Sequence, residues 1–285
     1  MYKTLKNNII NYILEIEGEN NKIYTIKDLT VDFSIEKNYS GSANSCNFTI
    51  YNLTAEIRNS IKKTVLQRNY NSDNNYRILR FYAGYNYQLF PLFIGSVKEC
   101  CSTRQNENII TNISGWIGVE GINNSFTNVS LVNQQNIIEY LLNDFKKYLD
   151  IGFISEKAKY ILKDCKRGQT LSGKTWELLN QYKEDLQIFI DNEKIFIYSV
   201  DEWNNRTIII NKETGLLNIP IDYGITMEIN TIGEPIVNLK DIVQLGVEED
   251  KEYNGNYGIL GIVHRGTISF RGARTNWITN LKLQK

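Results

Sequence analysis

Gly168-Gln-Thr-Leu-Ser-Gly173-Lys174-Thr175 matches the spacing G-x-x-x-x-G-K-[ST]. In a nucleotide-binding protein such a run forms a loop whose backbone N–H groups wrap phosphate. Its lysine neutralises the β/γ oxygens and its hydroxyl holds magnesium. Lys174 and Thr175 would take those roles here, and Leu186-Gln-Ile-Phe-Ile-Asp191 would supply a later strand ending in a carboxylate.

The neighbourhood points to a different use. A phosphate loop leaves a buried strand directly, whereas Lys163-Asp-Cys-Lys-Arg167 stands immediately before Gly168. The helix that follows leads into a hairpin, not into the right-handed crossover that a parallel sheet requires. The expectation is a solvated Gly/Ser turn whose Ser or Thr caps a helix through Trp176.

The remaining reactive side chains are sparse. His264 is the only imidazole, on the strand-like run Ile259-Leu-Gly-Ile-Val-His264, and is expected to hold a local hydrogen bond. Cys46, Cys100, Cys101 and Cys165 show no Cys-x-x-Cys spacing. The adjacent pair would point to opposite faces of a strand, so all four are expected as packed, reduced thiols. Glu248, Glu249, Asp250 and Glu252 beside Asn254-Gly-Asn256 lack the alternation of a calcium loop and are expected as an acidic hairpin loop. No catalytic residue, cofactor site or metal site is therefore assigned.

Composition bounds the rest. The 285 residues carry 32 basic and 32 acidic side chains, a formal balance of zero that gives no footing for phosphate-rich partners or anionic membranes. No apolar run reaches the roughly 18–20 residues needed to cross a bilayer as a helix. The first apolar segment is interrupted by Asn11, Tyr12 and Glu15, so no signal peptide is expected, and the chain is expected in the cytoplasm where it is made. With 40 Ile and 36 Asn against 3 Pro, the several Asn-x-Ser/Thr triplets are accounted for by composition.

Hydropathy periods define the elements. Leu29, Val31, Phe33 and Ile35 alternate with polar residues, and Cys46, Phe48 and Ile50 repeat the period. Thr54 is expected to cap a short helix through Ile57, Ile61 and Val65, with a loop at 69–75. Strands follow at 77–85, 89–101 and 108–117. Ile137, Ile138, Leu141, Leu142 and Phe145 form a helical stripe within 133–149, and a second helix is expected at 174–183. A hairpin at 186–198 turns at Asp191-Asn192-Glu193, and the last strands are expected at 207–211, 225–232, 241–245, 257–264 and 275–283. The fold class is mainly β with an α+β insertion.

Three stretches carry a family resemblance. Ser45-Cys-Asn-Phe-Thr-Ile-Tyr-Asn-Leu-Thr-Ala-Glu-Ile-Arg58 is a strand, a Tyr-Asn-Leu-Thr and a short helix. Phe81-Tyr-Ala-Gly-Tyr85 with Leu92-Phe-Ile-Gly-Ser-Val97 is an aromatic hairpin. Gly215-Leu-Leu-Asn-Ile-Pro220, 239–246, 255–264 and Trp277-Ile-Thr-Asn-Leu281 form the third. In this order they resemble the baseplate hub proteins of contractile phage tails, with kin in prophage tails and type VI secretion spikes. Residues 271–276 depart from the pattern, carrying Arg where related hubs often have an acidic Gly-Asp turn.

The resemblance implies two tail-tube-like β-barrel domains, 1–124 and 203–285, flanking a small α+β domain at 125–202. It implies a homotrimer whose ring joins a sixfold tail tube to a threefold central spike, with tube, spike and other baseplate proteins as partners and DNA only as passing cargo. It further implies assembly in the bacterial host cytoplasm into a virion or tail-like particle. Two alternatives stand beside it: a tail-tip component of a flexible-tailed phage, and a nucleotide-binding enzyme using Lys174 and Thr175.

Overall fold

Period-2 alternation writes most of the secondary structure, beginning where the sequence looks least regular. Asn11 and Glu15, which interrupt the first apolar segment, alternate with buried Tyr12, Leu14 and Ile16 on strand β1 (Ile10–Glu17). The structure, a computed structural model, describes residues 9–39, 44–71, 76–130, 137–162, 170–269 and 275–285. Cys165, Gly168 and Gln169 lie outside the described residues, as does most of the departing segment at 271–276.

After β1 come β2 (Ile23–Ile26), β3 (Val31–Asn38), β4 (Ser45–Tyr51), α1 (Ala55–Asn71), β5 (Ile78–Tyr85), β6 (Gln88–Gln105) and β7 (Asn108–Trp116). The middle holds α2 (Val119–Asn124), β8 (Phe126–Ser130), α3 (Ile137–Phe145), β9 (Asp150–Ile154), α4 (Glu156–Ile161), β10 (Thr170–Lys174), α5 (Thr175–Asn180), β11 (Leu186–Asp191) and β12 (Lys194–Ser199). The chain closes with β13 (Thr207–Ile210), β14 (Ile221–Asp222), β15 (Thr226–Ile232), β16 (Ile242–Leu245), β17 (Gly255–Ile268) and β18 (Asn276–Gln284). It is mainly β with an α+β insertion.

Two compact units result. The first combines the opening segment to Asn38, Asn44–Trp116 and Trp203–Lys285; Ile117–Glu202 is the body of the second. In the first unit the strand path is β14-β15-β18-β17-β3-β4-β7-β6-β5-β1-β2, with β16 also on β17 and β13 on β16. Every ladder is antiparallel except β13–β16. The β3–β17 ladder, from Val31↔Ile268 to Asn38↔Gly261, carries the sheet from the opening segment into the closing one.

Phe33, Phe48, Phe81 and Phe93 are buried between these strands, with Phe81 5.0 Å from both Phe33 and Phe48 by ring centroid. Each such side chain contributes about 1.5–3 kcal/mol through burial. Ile61 and Val65 anchor α1, as their spacing requires. The helix runs through Asn71, past the expected loop start at residue 69. No Gly or Pro interrupts residues 55–71, and elongating an existing helix is cheap compared with nucleating one, so modest asparagine propensity does not stop it.

In the second unit β8 pairs with β10, and β12 pairs antiparallel with β11 and parallel with β9. The β11–β12 turn has positive φ at both Asn192 (49°) and Glu193 (58°), the twist that two-residue hairpins favour. Ile137, Ile138, Leu141, Leu142 and Phe145 are all buried, so the α3 stripe is the packed face. Helix α4, capped by the Ser155 hydroxyl accepting the Ala158 N–H at 3.1 Å, has no strong period and was not foreseen.

Candidate assembly surface

Within the Gly-Lys-Thr run, Thr170–Lys174 form strand β10. Thr170↔Ser130 through Lys174↔Phe126 is a continuous antiparallel ladder, so alternate backbone N–H groups that would wrap phosphate are committed to β8. The Thr175 N–H donates to the Ser125 carbonyl at 3.2 Å. The Thr175 hydroxyl is fully buried, 2.8 Å from Thr127 Oγ1 and donating to Asp144 Oδ2 at 3.4 Å. Asp144 also accepts the Phe126 N–H and pairs with Lys147 at 2.7 Å. Asp144 thus ties α3, α5 and β8 together, and Thr175 completes that packing.

The expected turn and its Ser/Thr cap are corrected here. Lys174, exposed and extended at φ −62°, is the N-cap of α5 and makes no side-chain cap bond. The helix ends at Asn180, short of the expected residue 183, because i→i+3 bonds such as Asp185 N–H to Tyr182 O tighten the chain into β11.

His264 has the expected local partner. Its Nδ1 lies 2.9 Å from Thr279 Oγ1, which also accepts the Glu234 N–H at 2.9 Å. Burial, aided by Lys37, holds the imidazole pKa down to about 3, so the ring is neutral at ordinary pH. Trp277 packs edge-on to it at 5.9 Å. Of this group only His264 was singled out by residue type; Thr279 and Trp277 are reached only through the β17–β18 register.

The cysteines are dispersed. Cys46 is buried, Cys100 is partly buried with its thiol pushed up to about 12 by burial, and Cys101 is exposed on the opposite strand face. The acidic run 248–252 lies in the β16–β17 connection, where Asp250 accepts the Glu252 N–H at 3.2 Å. A cavity of about 720 Å³ is lined by Asp32, Tyr51, Thr267 and neighbouring hydroxyls. Tyr51 and Thr267 donate to the two Asp32 oxygens at 2.8 and 2.6 Å, which satisfies the carboxylate.

The first unit also exposes an apolar row. Leu217, Ile219, Ile221, Tyr223 and Ile225 recur at every second position and are 48–79% exposed. This row is a sheet margin. The Leu217 N–H donates to the Asn230 carbonyl, and Ile221 pairs with Glu228. Residues 218–220, including Pro220, therefore bulge between those two contacts. β14 pairs with β15 and with no second strand among the described residues. The period is present in the sequence, where Ile225 opens an expected strand and Leu217 and Ile219 fall in the third stretch of the resemblance. What the surface can do is bind another apolar surface, not catalyse a reaction.

A family profile described as Baseplate hub gp41 matches residues 9–265. No curated protein matches the chain. Several solved structures share its fold. The tail protein from Neisseria meningitidis MC58 is 10% identical with a TM-score of 0.58, covering 96% of each chain. The 43 kDa tail protein of prophage MuSo2 from Shewanella oneidensis is 9% identical with a TM-score of 0.60, covering 96% of this chain and 98% of that one. The E. coli c3393 protein is described as a type VI secretion component similar to T4 tail proteins gp27 and gp5. It is 8% identical with a TM-score of 0.57, covering 95% of this chain and 76% of that one.

Proposed function

Because the chain belongs to the baseplate hub gp41 family, we propose that it is a structural hub subunit, three copies of which close a ring between a sixfold tail tube and a threefold central spike. Membership makes it a phage-tail baseplate component; the ring, its partners and the contractile type of tail are this reading's own content. The observation that carries it is the breadth of the match, which spans both β segments and the insertion between them.

The molecule's physics supports the same reading. The seven strands β1–β7 and the six strands β13–β18 are β segments of similar strand number, suited to two tube-like barrels at 1–124 and 203–285 around an α+β domain at 125–202. Such a ring uses heterologous contacts that close on themselves. The run that could have bound a nucleotide is spent on the β8–β10 ladder and the Thr175–Asp144 packing. The role is accordingly one of shape and contact. Assembly would take place in the bacterial host cytoplasm, with tube and spike proteins as partners and DNA only passing through.

Sedimentation of the full chain, alone and mixed with its tail-tube and spike proteins, tests this. A trimer in at least one condition is expected. A monomer in all of them would overturn the ring.

A further inference from the structure

Glu193 is placed against local preference. The second residue of a two-residue hairpin turn with positive φ favours glycine, yet Glu193 stands there at φ 58°. Its carboxyl reaches a residue 75 positions earlier and accepts the Gly118 N–H at 3.0 Å. Its backbone carbonyl accepts the Asp150 N–H at 3.1 Å. Gly118 is itself left-handed at φ 72°, and a Cβ there would come within 2.7 Å of Ile190. One half-buried glutamate therefore fastens the β11–β12 turn both to β9 and to the residue before α2. All of these residues belong to the second unit, which the chain enters at Ile117.

The charges around this fastening are lopsided. Glu120 lies on α2, Asp150 opens β9, and Asp191 and Lys194 flank the turn on the hairpin itself. Lys194 is exposed and stands in register with both Asp191 and Asp150. The charge that bears on Glu193 is that of Glu120, which has the same sign. An ionised Glu193 therefore meets both desolvation and repulsion. A protonated one avoids both and still has an oxygen to accept the Gly118 N–H.

We propose that Glu193 is a proton-operated latch: protonated, it closes the hairpin turn onto Gly118, and ionised, it lets that contact open. Burial holds its carboxyl up at about 7 and raises that of Glu120 too, so the closed form binds the proton more tightly than the open one. The contact is firmest below about pH 4.5 and weakens as pH rises to about 7. The latch concerns the second unit alone, so its failure would leave the hub reading standing.

Hydrogen exchange of the full chain between about pH 5 and pH 8, corrected for the intrinsic pH dependence of exchange, tests it. The Gly118 amide is expected to lose protection at least roughly tenfold across that range. The Ala158 amide, held by the Ser155 cap in the same unit, is expected not to follow it. Glu193→Gln keeps an accepting oxygen without the charge and is expected to abolish the change, leaving Gly118 protected at pH 8. Glu120→Gln removes the repelling charge and is expected to shrink the loss. Glu193→Gly suits the turn but lacks the acceptor, and is expected to leave Gly118 poorly protected throughout. A wild-type Gly118 with constant protection would overturn the proposal, as would the same loss in Glu193→Gln. An equal loss at Ala158 would also overturn it, because the whole unit rather than one contact would then be opening.

Discussion

Tyr85 lies flat on Trp277, with ring centroids 5.6 Å apart and an interplanar angle of 14°. The Tyr85 hydroxyl donates to the Gly233 carbonyl at 2.8 Å, and the Gly233 N–H donates to the Trp277 carbonyl at 2.9 Å. One stacked pair thus fastens β5 of the opening segment to β18 of the closing one. Tyr85→Phe keeps the stack and is expected to cost about 1 kcal/mol through the lost hydrogen bond. Tyr85→Ala is expected to cost about 3 kcal/mol or more. Urea unfolding followed by tryptophan fluorescence measures both, and equal losses would show that the ring contributes nothing beyond its hydroxyl.

Gly233 is held against the same indole. A Cβ there would come within 2.2 Å of Trp277. Gly233→Ala must displace the ring, so a destabilisation of about 2–3 kcal/mol is expected, as for other overpacked core positions. A melting temperature unchanged from wild type would refute the tight contact.

Lys174 and Thr175 separate the packing role from a nucleotide role. Lys174→Ala, at an exposed position, is expected to leave stability within about 0.5 kcal/mol. Thr175→Val buries an apolar group beside Thr127 and Asp144 and is expected to cost about 1–3 kcal/mol. Isothermal titration with magnesium and ATP is expected to give no heat in either variant or the wild type. Saturable binding lost in Lys174→Ala would restore the enzyme alternative.

Two buried groups set opposite pH trends. Glu193 in the β11–β12 turn is raised to about 7 by burial, although it accepts the Gly118 N–H at 3.0 Å; nearby Glu120 adds to the rise. Its folded form binds the proton more tightly than its unfolded form. The second unit therefore loses stability as pH rises from about 4.5 to about 7, by at most about 3 kcal/mol. Glu193→Gln is expected to flatten that slope and to raise stability at pH 8.

His264 acts in the other direction. With its folded pKa near 3, the unfolded chain binds the extra proton below about 6.5. The His264 contribution to the first unit is complete above pH 6.5 and is lost progressively as pH falls toward 3. His264→Gln is expected to remove this acid sensitivity, read as a flatter urea midpoint between pH 6 and pH 4. A wild-type slope retained in the variant would assign the sensitivity elsewhere.

Legibility followed the strength of each local signal. The β3, β4 and α3 stripes could be read directly, because one buried face imposes period 2 or 3.6 on the residues. β1 was hidden because its polar residues look like interruptions until the strand period is applied, and α4 because six residues carry too little period to register. The Gly168–Thr175 match misleads for the same reason: eight residues specify a spacing, whereas a phosphate loop depends on the strand before it and the crossover after it. The apolar row at 217–225 was visible as a period, but exposure is a property of the folded surface and no residue type reports it.

By itself, the sequence determined the fold class and the resemblance to tail hubs, since these reside in local periods and in the order of short motifs. Tertiary structure decided the rest. Which strands became margins, which threonine was sealed against Asp144 and which tyrosine met Trp277 all depend on pairings between residues far apart in the chain, where only long-range burial and hydrogen bonding choose the partner.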